Sequence, residues 1–239
     1  GRNGKTPTHP ALLDWLAAEL MENGWNMKHL HRLIVISAAY KRRSDGVLES
    51  WSDAHSQQTP QRSNTPLLHH SNPRQIDPDN KLLWRMNPSR MEAEVVRDSV
   101  LHLAGALDPR MGGQEIENTE AETSARRSLY FSCHPEVGGR SAMAAMFDAP
   151  EPTDCYRRTS SVLPQQALVM TNSKLVHDHS AALVRQIGAE VPDFAAFEHV
   201  LSRPPSADEL ASCRDFLKDG SKESLVRVLL NHNDFVTVR

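Results

Sequence analysis

Apolar residues recur at helical spacing near both ends of this chain, and between residues 41 and 75 that spacing disappears. Segments patterned this way close a core by packing helices, because a half-buried strand needs a period of two. The polar stretch is rich in Ser, Gln, Asn, His and Pro. It cannot bury enough apolar surface to offset the entropy of ordering it. The expectation is therefore mainly α: an irregular helical bundle with a long irregular middle segment and at most one or two short strands. The 41–76 stretch reads as a low-complexity loop with one short element near Val47 to Trp51.

Punctuation places the helices. Thr8 can cap a first helix, Pro10 suits its first turn, and Leu12, Leu13, Leu16 and Leu20 form its stripe. Asn23-Gly24 stops it. A second helix is predicted from Met27 to Tyr40, and Leu33-Ile34-Val35-Ile36 broadens its stripe enough to predict burial on most sides. The short link between them predicts a helical hairpin. Asp77-Pro78-Asp79-Asn80 marks a turn. Ser89-Arg90-Met91-Glu92 has the capping-box spacing, so a helix is expected behind it, ending near Leu107. Residues 128–132 are the best strand candidate, and one helical turn is expected between Ala142 and Phe147. Further helices are expected to open at Leu163-Pro164, at Asn172 or Ser173, after Asp193, after Ser206 and after Ser221. Phe235-Val236 then folds back on the core.

Composition excludes several classes. The net charge of −3 shows no basic excess for nucleic acid. No apolar run approaches the roughly 18 residues that span a bilayer. Cys133, Cys155 and Cys213 are too few and too scattered for a disulfide framework. Free buried thiols are the expectation, with a Cys133–Cys155 bridge as the alternative in an oxidising compartment.

Motifs for chemistry are scarce. His177 and His179, like His29 and His31, are two apart and point to opposite sides of a helix. Cys133-His134 lacks the upstream cysteine of a heme-attachment site. No H-E-x-x-H, G-x-S-x-G or phosphate-cradling glycine loop occurs, and Gly138-Gly139-Arg140-Ser141 fits none of them. No cofactor and no metal is therefore expected in this segment, and no catalytic residue is assigned.

What remains is a charged set: Arg90, Arg97, Asp98, Asp148, Arg157 and Arg158, with Arg85 and Glu92 beside it. Arginine forks bind carboxylates and phosphates in bidentate fashion. Arg90 and Arg97 are expected to share a face of one helix. The set reads first as a network pinning the irregular 133–161 segment to the helices, and alternatively as a ligand or partner site. Gln165-Gln166 and Asn172 read as amides that satisfy nearby backbone.

Several stretches, in order, resemble one family. They include Pro7-Thr8-His9-Pro10-Ala11-Leu12-Leu13-Asp14-Trp15-Leu16, Asp77-Pro78-Asp79-Asn80-Lys81-Leu82-Leu83-Trp84-Arg85 and Val162-Leu163-Pro164-Gln165-Gln166-Ala167-Leu168. The set is similar to the planctomycete-specific domain of unknown function 1553. The resemblance runs from Pro7 to the C-terminus and implies one helical domain over 1–239, cut at its N-terminus. It implies an extracytoplasmic setting, with upstream domains of the same polypeptide as partners and heme c in one of them. No catalytic residues carry over. Three functions are then in play: a non-catalytic structural or interaction module, an enzyme or binding domain for polyanions such as sulfated carbohydrate, and a redox accessory lending a histidine to a heme held elsewhere.

Overall fold

The structure is a computed structural model, and it describes residues 6–42, 76–137, 139–150, 153, 161–188 and 192–238, with backbone alone at 192–194. The element expected near Val47 to Trp51, and Cys155, Arg157 and Arg158, lie outside the described residues. The chain divides into two compact units, residues 1–88 with Arg239, and residues 89–238.

In the first unit, α1 (Pro10–Glu22) and α2 (Met27–Ile36) form the expected hairpin. Gly24 takes φ +65°, and the Gly24 and Trp25 amides donate to the Met21 and Leu20 carbonyls. This left-handed stop is one that glycine adopts without strain. Asn26 caps α2 by accepting from the His29 amide, and a Glu19–His29 contact at 2.8 Å joins the helices. Two expectations fail here. Thr8 does not cap α1; His9 holds the cap position, and Thr8 Oγ1 meets His9 Nδ1 instead. The second helix is not continuous to Tyr40 and is not buried. Ser37 turns extended and caps a new short helix, α3 (Ala38–Lys41), by accepting from the Tyr40 amide. None of the residues of α1, α2 or α3 is buried.

Further on, the Asp77 carboxylate accepts from the Lys81 and Leu82 amides, and Trp84 Nε1 donates to the Asp77 carbonyl. Asn80, at φ +54°, spans the turn by donating to the Arg85 carbonyl and accepting from the Arg85 amide. This is the expected turn, closed by short polar side chains that mimic backbone.

The second unit is a helical bundle tied at its ends by β1 (Ser89–Arg90), which pairs antiparallel with β2 (Thr237–Val238). That pairing overturns the capping box expected at Ser89. Residues 89–90 are extended, the Met91 amide donates to the Val236 carbonyl, and α4 (Ala93–Leu103) starts behind Glu92, whose side chain makes no cap bond. A partner almost 150 residues away outweighs the local signal. Nor does α4 reach Leu107, because Gly105 at φ +69° stops it, with Ala106 and Gly105 donating to the Leu101 and His102 carbonyls. The expected strand over 128–132 is instead a 3-10 turn at Ser128–Tyr130, with one isolated parallel bridge between Ile116 and Phe131.

The remaining helices stand where punctuation put them: α5 (Ala142–Met146), α6 (Pro164–Asn172), α7 (Lys174–Ile187), α8 (Pro192–Leu201), α9 (Ala207–Asp219) and α10 (Lys222–Leu230). Asp193 falls inside the first turn of α8 rather than before it. A full capping box of Ser206 with Glu209 opens α9, and Ser221 caps α10. The core gathers where α7, α8 and α10 pack on one another and α4 packs on α7. Val96, Val100, Val176, Leu183, Val226 and Leu230 are among its fully enclosed side chains. Each such side chain contributes about 1.5–3 kcal/mol by leaving water. Phe235 and Val236 close one side, as expected. The fold is mainly helical with one two-stranded sheet, and among the described residues no helix is long and apolar enough to cross a membrane.

Candidate functional site

The buried stripe of α4 runs Ala93, Val96, Arg97, Val100, Leu101, so an arginine occupies a position that helical spacing reserves for an apolar side chain. Arg97 is 4% exposed. Its Nε donates to the Ala121 carbonyl at 2.7 Å, Nη1 to the Arg126 carbonyl at 2.8 Å, and Nη2 to the Ser124 carbonyl. Nη1 also reaches Ser128 Oγ and Asp98 Oδ1, both at 3.3 Å. Five protein acceptors thus surround the guanidinium, three of them at Nη1, so that each of its three nitrogens has at least one partner. The plane lies 4.7 Å from the Phe131 ring centre, within cation–π range. Burial pushes the Arg97 pKa below its ordinary value, and Asp98 opposes that shift. Asp98 in turn accepts from the Ser128 amide at 2.9 Å and from Ser128 Oγ at 2.6 Å. The pull on Ser128 explains why residues 128–132 coil into a turn rather than run as a strand.

Beside this hub lies a cleft lined by Glu94, Asn118, Ser132, Cys133, Arg140 and Met143, among others. It encloses about 60 Å³, far below the roughly 300 Å³ at which ordinary ligand pockets begin.

Arg90 belongs to a different cluster. It lies on β1, not on the helix with Arg97, so the expected shared face does not exist. Its Nη2 donates to Gln166 Oε1 at 2.7 Å and its Nη1 to Asn233 Oδ1 at 3.0 Å. Gln166 is buried and donates onward to the Met146 and Ser161 carbonyls. This is the backbone-satisfying role expected of that amide. Asp148, at φ +54°, accepts from the Ser161 amide at 2.7 Å and from Ser161 Oγ. The predicted set therefore falls into two groups: Arg97 with Asp98 on α4, and Arg90 linked through Gln166 and Ser161 to Asp148. Arg85 belongs to the first unit, where it stacks on Trp84 and donates to Asn87.

Cys133 is an exposed thiol rather than a buried one, whereas Cys213 is buried. Among the described residues no three His, Cys, Asp or Glu side chains gather where they could hold a metal.

One cluster had no warning in sequence. Arg203 donates to both oxygens of Glu209, at 2.7 and 2.9 Å, and to Asp234 at 2.8 Å. The Arg203 fork and the Ser206 amide hold the Glu209 carboxyl down to about 2, and the two carboxylates raise Arg203. The capping box marked Glu209, but nothing local links it to Arg203 or Asp234.

No curated protein and no solved structure matches the chain. A family model described as PSD1, protein of unknown function (DUF1553), matches residues 1–217. Since that match covers most of the 239 residues, the chain belongs to the DUF1553 (PSD1) family.

Proposed function

We propose that this chain is a non-catalytic helical module that works by protein contact, with the α1–α2 hairpin as its contact surface. The observation that carries the reading is the exposure of large apolar side chains on that hairpin: Trp25 at 68%, Met21 and Leu13 at 54%, and Trp15 at 50%. Helices of 13 and 10 residues are marginal in water without tertiary burial. A hairpin that buries none of its own residues gains stability when another surface covers it. Exposed tryptophans are the side chains that anchor such contacts.

The partner we propose is an upstream domain of the same polypeptide, one of which carries heme c, in an extracytoplasmic setting. These follow from the family resemblance. The polyanion reading draws no support from Arg97, which is buried and has each of its three guanidinium nitrogens bonded within the chain.

Amide hydrogen exchange tests the reading, with this chain compared against the longer polypeptide expected to contain it. Peptides over 10–36 should exchange at least tenfold more slowly in the longer polypeptide, while peptides over 174–187 stay unchanged. Equal exchange of the hairpin in both would remove the proposal.

A further inference from the structure

We infer that residues 108–132 form a strap that opens as a single unit, latched to α4 by Arg97 and Asp98. This goes beyond the contact role and does not depend on it.

The strap is stitched to itself. The Asp108 amide donates to the Ala125 carbonyl, the Ile116 amide to the Tyr130 carbonyl, and the Ser132 amide to the Ile116 carbonyl. Arg126 stacks on the Tyr130 ring at 4.3 Å and donates to the Gly112 carbonyl, while the Gly112 amide donates to the Tyr130 hydroxyl. These bonds survive if the segment moves as a body.

Its hold on the rest of the unit is of another kind. Within 108–132 the buried residues are Ala121, Ser128 and Ser132, so a single apolar side chain is buried, the smallest that can be. Leu129 and Met111 face solvent at 59% and 87%. Attachment to α4 is polar and concentrated on two adjacent side chains, Arg97 reaching residues 121, 124, 126 and 128, and Asp98 reaching Ser128. A segment with little apolar burial, held by a few bonds at one point, has the features of a low-stability opening unit. Asn118, Ala121, Ser128, Phe131 and Ser132 of the strap line one side of the cleft, and Ala93, Glu94, Arg140, Met143 and Ala144 are among the residues lining the rest. Opening the latch would widen the cleft and expose that remaining lining.

Native-state hydrogen exchange on the whole chain, at a series of low urea concentrations, reads this directly. Strap amides such as those of Ile116 and Ser132 should open at lower free energy than amides of α7 and α10, and as one group. Arg97→Lys should speed strap exchange at least tenfold and leave α7 within twofold. Ser128→Ala, which trims the latch but keeps the buried ion pair, should act in the same direction with a smaller factor, and it serves if the arginine variant does not fold. Strap and α7 amides exchanging through one common opening in the unaltered chain would overturn the inference. So would a Ser128→Ala effect spread evenly over the unit.

Discussion

Arg97 occupies a place that helical periodicity assigns to an apolar side chain, and the price of burying a charge there is met by hydrogen bonds at all three nitrogens of its guanidinium. Replacing it with alanine leaves three backbone carbonyls without their donor and Asp98 without its counter-charge in a largely buried site. Removing one member of a buried pair costs about 3–5 kcal/mol. Arg97→Ala should therefore lose stability on that scale in equilibrium urea unfolding of the second unit, and a loss below 1 kcal/mol would show that water replaces the guanidinium. The arginine was legible in the sequence as a candidate, but only the structure places it on the buried stripe of Ala93, Val96, Val100 and Leu101. What it holds was not legible, because its acceptors are carbonyls 24 to 29 residues along the chain. Carbonyl groups carry no sequence signature.

At the scale of elements, local punctuation succeeded wherever the partners of a signal lie within one turn. Pro10, Pro164, Ser206 and Ser221 all open helices, and Gly24 closes one. Punctuation failed at Ser89 and over 128–132, where a distant strand and a distant carboxylate took the backbone groups that a cap or a sheet needs. The α9 cap carries a testable electrostatic consequence. The folded-state pKa of Glu209 lies at about 2, against an ordinary 4.5. A depressed carboxyl contributes stability that is complete above its ordinary pKa and is lost as pH falls toward the folded value. Stability should thus decline between pH 5 and 3 in part through this group. Glu209→Gln should flatten that decline in urea titrations at pH 5, 4 and 3, and an unchanged slope would show that Arg203 does not hold the carboxylate in solution.

Across the whole molecule, burial is uneven. The second unit encloses Leu183 at 1% exposure, while none of the residues of the first unit's hairpin is buried. Leu183→Ala should cost about 2–5 kcal/mol, the range for a large-to-small change in a closed core. Leu16→Ala on the hairpin should cost under about 1 kcal/mol, because a side chain still partly in water has less transfer energy to lose. Circular dichroism with urea, read for both variants, checks the contrast. Equal losses would mean that the hairpin is covered in the isolated chain.

Sequence alone determined the helical class, the hairpin, most helix starts and the family, because helical period, caps and ordered motifs are all written over short stretches. It also selected the residues around which the site question turns, Arg90, Arg97, Asp98 and Asp148. Tertiary structure alone decided that these residues form two groups, that Arg90 sits in a strand formed with β2, and that the α1–α2 hairpin shows its apolar residues to solvent. The physical reason is common to all three. Each depends on which groups meet across tens to hundreds of residues, and such meetings are set by the packing of the core rather than by any local preference.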